Sequence, residues 1–140
     1  MAGLVLIRDI MTKDVKVVRT DTNMQEVVAT MIKFDISSIV VIQKNRPVGL
    51  ITHKDVLTKV LKPNFPTSAI TAKQVMSSPV IAVKEETSVD EAAKLMAEKG
   101  FKKLPVVQDG KLVGIVTSTD LIREQPRIIE LLEELKASVH

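Results

Sequence analysis

Gly49-Leu50-Ile51-Thr52-His53-Lys54-Asp55 returns 65 residues later as Gly114-Ile115-Val116-Thr117-Ser118-Thr119-Asp120. Followed outward from these positions, the same offset runs without a gap from Met11 over Met76 to Asp55 over Asp120. It passes through Val18/Val83, Thr22/Thr87, Glu26/Glu91, Met31/Met96, Val41/Val106 and Val48/Val113. A repeat of about 60 residues is too long for a solenoid unit and small for an independent domain, since a chain of that size buries only about 60% of its surface. The two copies are therefore expected to share a core.

Composition narrows the function classes. The chain has 140 residues, 45% hydrophobic and 26% charged, which is enough to bury a sizeable core. It has no Cys, so disulfides and thiolate metal sites are excluded. His53 and His140 are far apart in sequence and have no clustered acidic partners, which argues against a metal site or a histidine-based catalytic pair. The serines lack a nucleophile-elbow context, so no enzyme activity is expected. No apolar run approaches the roughly 20 residues that span a bilayer, and the opening residues lack a signal peptide's long apolar stretch, so the expected location is cytoplasmic. A DNA- or RNA-binding reading has only the pI of 9.2 behind it. The net charge is a mild +3, and three Phe with no Trp or Tyr are too few for a base-stacking platform.

Each copy reads as strand, helix, strand, strand, helix. After Val15 to Val18, Thr22 can cap a helix whose apolar positions Met24, Val27, Val28, Met31 and Ile32 follow helical spacing. Copy two repeats this with Val80 to Val83, Thr87, then Val89, Ala92, Ala93, Met96 and Ala97, and stops at Gly100. Two short apolar runs follow about a polar turn, Lys44-Asn45 in one copy and Asp109-Gly110 in the other, the second a strong hairpin signal. The fold class is α/β (α+β). The boundaries read as repeat one over 1–61, a proline-bearing linker over 62–72, repeat two over 73–124 and a C-terminal helix over 125–140. In that last helix Pro126 suits a first turn, and Ile128, Ile129, Leu131, Leu132 and Leu135 form an apolar stripe that either closes the core or meets another molecule.

The chemistry concentrates where each hairpin ends. A glycine inside a strand costs stability unless the backbone bends or something approaches it closely. Three residues on, Thr52 and Thr117 stand where strand gives way to helix, and Asp55 and Asp120 follow three further. A hydroxyl and free N–H groups at a helix start suit a phosphate, and a nearby carboxylate can accept both hydrogen bonds of a ribose diol. The same spacing is also that of a capping box, in which Thr caps the helix and the acidic residue reaches back to its N–H. Spacing favours the cap, and duplication does not decide, because a duplicated helix start duplicates its cap.

The motifs Met11-Thr12-Lys13-Asp14-Val15, Pro47-Val48-Gly49-Leu50-Ile51-Thr52, Val75-Met76-Ser77-Ser78-Pro79-Val80 and Val113-Gly114-Ile115-Val116-Thr117, with Asp55 and Asp120, resemble a cystathionine-β-synthase (CBS) domain pair, or Bateman module. The resemblance covers about residues 8 to 124. It implies tandem β-α-β-β-α units packed sheet to sheet about a pseudo-two-fold axis. It also implies two clefts for adenosine-containing ligands such as AMP, ADP, ATP or S-adenosylmethionine, and pairing of modules into a flat disc, here a homodimer. By the same resemblance one ligand site combines Thr52, Lys54 and Asp55 with Pro79, Val80, Ile81, Phe101, Lys102 and Lys103. The other combines Thr117, Thr119 and Asp120 with Asp14, Val15, Lys16, Ile36, Ser37 and Ser38. Ile36 or Phe101 would sandwich the adenine, Asp would hold the ribose, and Thr the ribose or phosphate. Lys102-Lys103 stand where the other site has Ser37-Ser38, so the first site is expected to prefer phosphorylated ligands, unless both lysines are a solvated helix end.

The expectation is thus a regulatory adenine-nucleotide sensor with no required cofactor, no membrane and an unknown regulated protein as partner. The alternative is a non-catalytic scaffold or interaction module with vestigial clefts that docks a partner through its tail helix.

Overall fold

Helix starts place the elements. In a computed structural model, which describes residues 5–124 and 132–136, helix α2 (Met24–Lys33) is capped by Asn23 and α5 (Val89–Lys99) by Ser88. Asn23 Oδ1 accepts from Glu26 N at 2.9 Å, and Ser88 Oγ accepts from Glu91 N at 3.1 Å. The caps therefore fall one residue after the expected Thr22 and Thr87. Thr22 instead closes the preceding turn, where its Oγ1 accepts from Arg19 N at 3.0 Å. A cap must be the last extended residue whose oxygen reaches the N–H three positions on, and Asn and Ser meet that need as well as any residue. Helix α5 stops at Gly100, whose φ of 72° is the left-handed geometry that glycine adopts without a Cβ penalty. Ile32, expected in the core, is 75% exposed; the apolar face of α2 that is buried consists of Met24, Val27 and Met31.

Two three-stranded sheets follow. Strands β2 (Ser38–Gln43) and β3 (Arg46–Thr52) form one antiparallel hairpin, and β5 (Lys103–Gln108) and β6 (Lys111–Thr117) form the other. Both turns use left-handed residues, Lys44 with Asn45 and Asp109 with Gly110, the geometry that matches the twist of a two-residue hairpin. Strand β1 (Val17–Arg19) pairs parallel with β2, and β4 (Val83–Lys84) with β5, giving sheet orders β1-β2-β3 and β4-β5-β6. Parallel neighbours need a crossover, and α2 and α5 supply it. After β3, α3 (His53–Val56) widens into a π-helical turn over Leu57–Leu61; after β6 comes α6 (Ser118–Glu124).

Each sheet is completed by a segment that the sequence writes into the other copy. Contacts divide the chain into a first unit, Lys16–Val80, and a second, Met1–Val15 with Ile81–His140. In the second unit α1 (Ile7–Ile10) leads into Thr12, which exchanges two backbone hydrogen bonds of 2.9 Å with Ile115 of β6. In the first unit α4 (Ala72–Val75) leads into Ser77, which bonds Leu50 of β3 at 2.9 and 3.1 Å. These pairs are the same positions shifted by the repeat offset. The glycine in each strand faces the methionine of that incoming segment. A Cβ on Gly49 would stand 2.8 and 2.9 Å from Met76 Cγ and Cβ, and one on Gly114 would stand 2.9 Å from Met11 Cγ and 3.1 Å from Thr12 O. Close approach by a methionine is thus what both strand glycines permit.

The first unit buries Met24, Val27, Met31, Ile39, Val41, Ile51 and Val60 with Ala72 and Val75. The second buries Ile7, Val89, Ala92, Ala93, Met96, Leu104, Val116 and Leu121, and Leu132 and Leu135 join them at 2% exposure. Those two tail leucines close the core of their own chain. Pro126, Ile128, Ile129, Leu131 and His140 lie outside the described residues.

Candidate functional site

In the first unit the end of β3 is fixed by its register. Ser38 and Thr52 are direct partners across the hairpin, and His53 N donates to Ser37 O at 3.1 Å, so Ile36, Ser37 and Ser38 are held beside the start of α3. Thr52 and Asp55 form the capping box that their spacing allows. Thr52 N donates to Asp55 Oδ2 at 2.9 Å, and Asp55 N donates to Thr52 Oγ1 at 3.2 Å. The other carboxylate oxygen pairs with Lys59 Nζ at 3.1 Å. Sequence reasoning passed over Lys59, although an acid four residues before a lysine is a recognisable helical pair. Lys54 is exposed, Pro79 follows a cis peptide bond and is exposed, and Val80 is half-buried. Phe34 has two cations near its ring, Lys16 Nζ 4.4 Å and Lys33 Nζ 5.3 Å from the ring centre. Ile36 and His53 also line an apolar groove of about 450 Å³ with Val28, Met31, Ile32, Asp35, Val56 and Leu57.

The second unit repeats the arrangement with different side chains. Lys103 and Thr117 are register partners, and Ser118 N donates to Lys102 O at 2.9 Å. Thr117 N donates to Asp120 Oδ2 at 2.9 Å and Asp120 N to Thr117 Oγ1 at 3.2 Å, a second capping box. Lys103 is half-buried, and loss of hydration there holds its ammonium below the ordinary lysine pKa, an effect that the nearby Asp120 charge partly offsets. Phe101, Lys102 and Thr119 are exposed, as is Asp14, while Val15 and Ile81 are half-buried. Within each unit, residues assigned by resemblance to different ligand sites stand side by side: Ile36, Ser37 and Ser38 with Thr52 and Asp55, and Phe101, Lys102 and Lys103 with Thr117 and Asp120.

Among the described residues no cluster of three or more His, Cys, Asp or Glu side chains could hold a metal, and no helix is long and apolar enough to cross a membrane.

The family model described as "CBS domain" matches the chain twice, over residues 7–62 and 72–127. An uncharacterized protein of Methanopyrus kandleri is 40% identical over 111 residues, which cover 78% of this chain and 57% of that protein. The chain thus spans little more than half the length of that relative. The crystal structure of a conserved CBS domain protein of unknown function from Thermoplasma acidophilum matches with a TM-score of 0.80 at 28% identity, covering 96% of this chain and 78% of the other. The structure of CBSX2 in complex with AMP matches with a TM-score of 0.75 at 26% identity, covering 89% of this chain and 98% of the other.

Proposed function

Given that the chain belongs to the CBS-domain family, we propose that it is a regulatory, non-enzymatic module that binds an adenosine-containing ligand such as AMP, ADP, ATP or S-adenosylmethionine. The observation that carries this reading is the Thr–Asp pair at the helix start after each hairpin, in a fold similar to that of CBSX2, which was solved with AMP. A helix start offers N–H groups to an anion, and an acidic residue there can take a ribose. The candidate ligand-binding residues are Thr52, Lys54 and Asp55 in one unit and Thr117, Thr119 and Asp120 in the other, and the two groups are not equally open to a ligand. Lys102 and Lys103 favour phosphorylated ligands. The ligand acts by population shift, since it stabilises whichever arrangement of the module it binds more tightly. The module works as a cytoplasmic homodimer that passes its signal to a partner protein, and the exposed apolar side chains Ile32, Leu57 and Leu61 suit the homodimer contact.

A thermal-shift panel of AMP, ADP, ATP, S-adenosylmethionine and a short DNA duplex tests this reading. At least one adenosine compound should stabilise the protein, by about 2.7 kcal/mol at a hundredfold excess over its dissociation constant, and DNA should not. No shift with any adenosine compound would replace the sensor by a scaffold with vestigial sites.

A further inference from the structure

The two equivalent aspartates are wired differently. Asp55 is 8% exposed, and its Oδ2 accepts from both Thr52 N at 2.9 Å and Thr52 Oγ1 at 3.1 Å. Its Oδ1 accepts from Lys59 Nζ at 3.1 Å. Lys59 is itself pinned, because the same ammonium donates to Val75 O at 3.0 Å, on the segment that completes this unit's sheet. A carboxylate offers about four lone-pair directions, so three donors leave Asp55 with one. A ribose diol donates two hydrogen bonds.

Among the described residues, Asp120 has fewer donors by the same count. Its Oδ2 accepts from Thr117 N, while the ion-pair partner of its Oδ1 is Arg123 NH1 at 3.8 Å, beyond hydrogen-bond range and on a side chain 74% exposed. The sequence supplies the cause. The position of Lys59 is Glu124 in the second copy, a residue that cannot neutralise Asp120. Lys103 feels the Asp120 charge, but among the described residues no ion pair joins the two.

We infer that, of the two equivalent aspartates, Asp120 is the one able to hold a ligand diol, and that Lys59 closes Asp55 to it. The inference deepens the adenosine-sensor reading and depends on it. It makes the two halves of the chain unequal: one aspartate serves the ligand, and the other ties α3 to α4 through Lys59.

Calorimetric titration of AMP into the full chain tests this. The wild type should bind one AMP per chain, and Asp120→Asn should weaken binding by about tenfold or more. Lys59→Met, which keeps a good helix former, should open Asp55 and add a second binding event. Two equivalent sites in the wild type, or a Lys59→Met protein that still binds a single AMP, would each overturn the inference while leaving the sensor reading intact. A wild type and a Lys59→Met protein both silent to AMP, ADP, ATP and S-adenosylmethionine would overturn that reading and the inference with it.

Discussion

Gly114→Ala should destabilise the protein, and the sign of the change is informative. A Gly→Ala exchange at a residue with unstrained φ normally stabilises by about 0.4–1 kcal/mol, because it restricts the unfolded chain. Gly114 lies outside the left-handed region, so that gain is available. Against it, the new methyl would sit 2.9 Å from Met11 Cγ and 3.1 Å from Thr12 O. Carbon contacts are optimal at about 3.5–4.0 Å, so the overlap is several tenths of an ångström. Met11 can rotate, but the Thr12 carbonyl is tied to Ile115 N at 2.9 Å and cannot yield without breaking that bond. Overpacking of this kind costs about 1–3 kcal/mol, which leaves a net loss of about 1–2 kcal/mol. For a chain of this size that lowers Tm by roughly 3–8 °C. At Gly49→Ala the nearest atoms are those of the Met76 side chain rather than a tied carbonyl, so the cost should be less. Urea or thermal melts of Gly114→Ala, Met11→Ala and the double variant give the coupling, and the double variant should recover part of the loss. A rise in Tm for Gly114→Ala, or strict additivity with Met11→Ala, would refute the claim that the opening methionine of one copy rests on the strand glycine of the other.

The remaining predictions follow from the caps, the tail and the buried lysine. Ser88→Ala, which removes the acceptor for Glu91 N, should cost about 0.5–2 kcal/mol by urea unfolding, and Ser88→Thr should restore most of it. Leu132→Ala and Leu135→Ala should each cost about 2–5 kcal/mol if both close the core; changes within a few tenths of a kcal/mol would assign the tail to a contact outside its own chain. Lys103 has a folded-state pKa below its ordinary 10.5, so the unfolded chain holds this proton more firmly. Its charged form therefore penalises folding in full at neutral pH, and the penalty is relieved as pH rises from the lowered value toward 10.5. Lys103→Met should accordingly be more stable than the wild type near neutrality, by a margin that shrinks at alkaline pH in paired melts.

Much of this architecture is legible in the sequence because the two copies correct each other. The offset that pairs Thr52 with Thr117 also pairs both hairpin turns and both crossover helices, and each was found where its apolar spacing put it. The helix caps moved by one residue because Asp21-Thr22-Asn23 and Thr87-Ser88 each offer adjacent oxygens, and only backbone geometry decides which of them reaches the N–H three positions on. Ile32 reads as core by spacing alone, yet α2 needs only a narrow face to cover its sheet. The exchange of opening segments is not legible at all. Ile10-Met11 and Val75-Met76 are so alike that either would fit either strand glycine, and nothing in the chain says which sheet each completes. The Thr–Asp pairs were legible by spacing, but the asymmetry between them turns on Lys59 against Glu124, a charge reversal four residues after the aspartate.

The measurement that reaches the central claim most directly is equilibrium dialysis of the protein against AMP, read by ultraviolet absorbance. The chain has no Trp and no Tyr, so the purine band of the ligand stands almost alone on the protein side. The account predicts an excess of AMP on that side which saturates at one molecule per chain, a level that needs about tenfold or more AMP to reach in Asp120→Asn. Equal absorbance on both sides at every AMP concentration would contradict it.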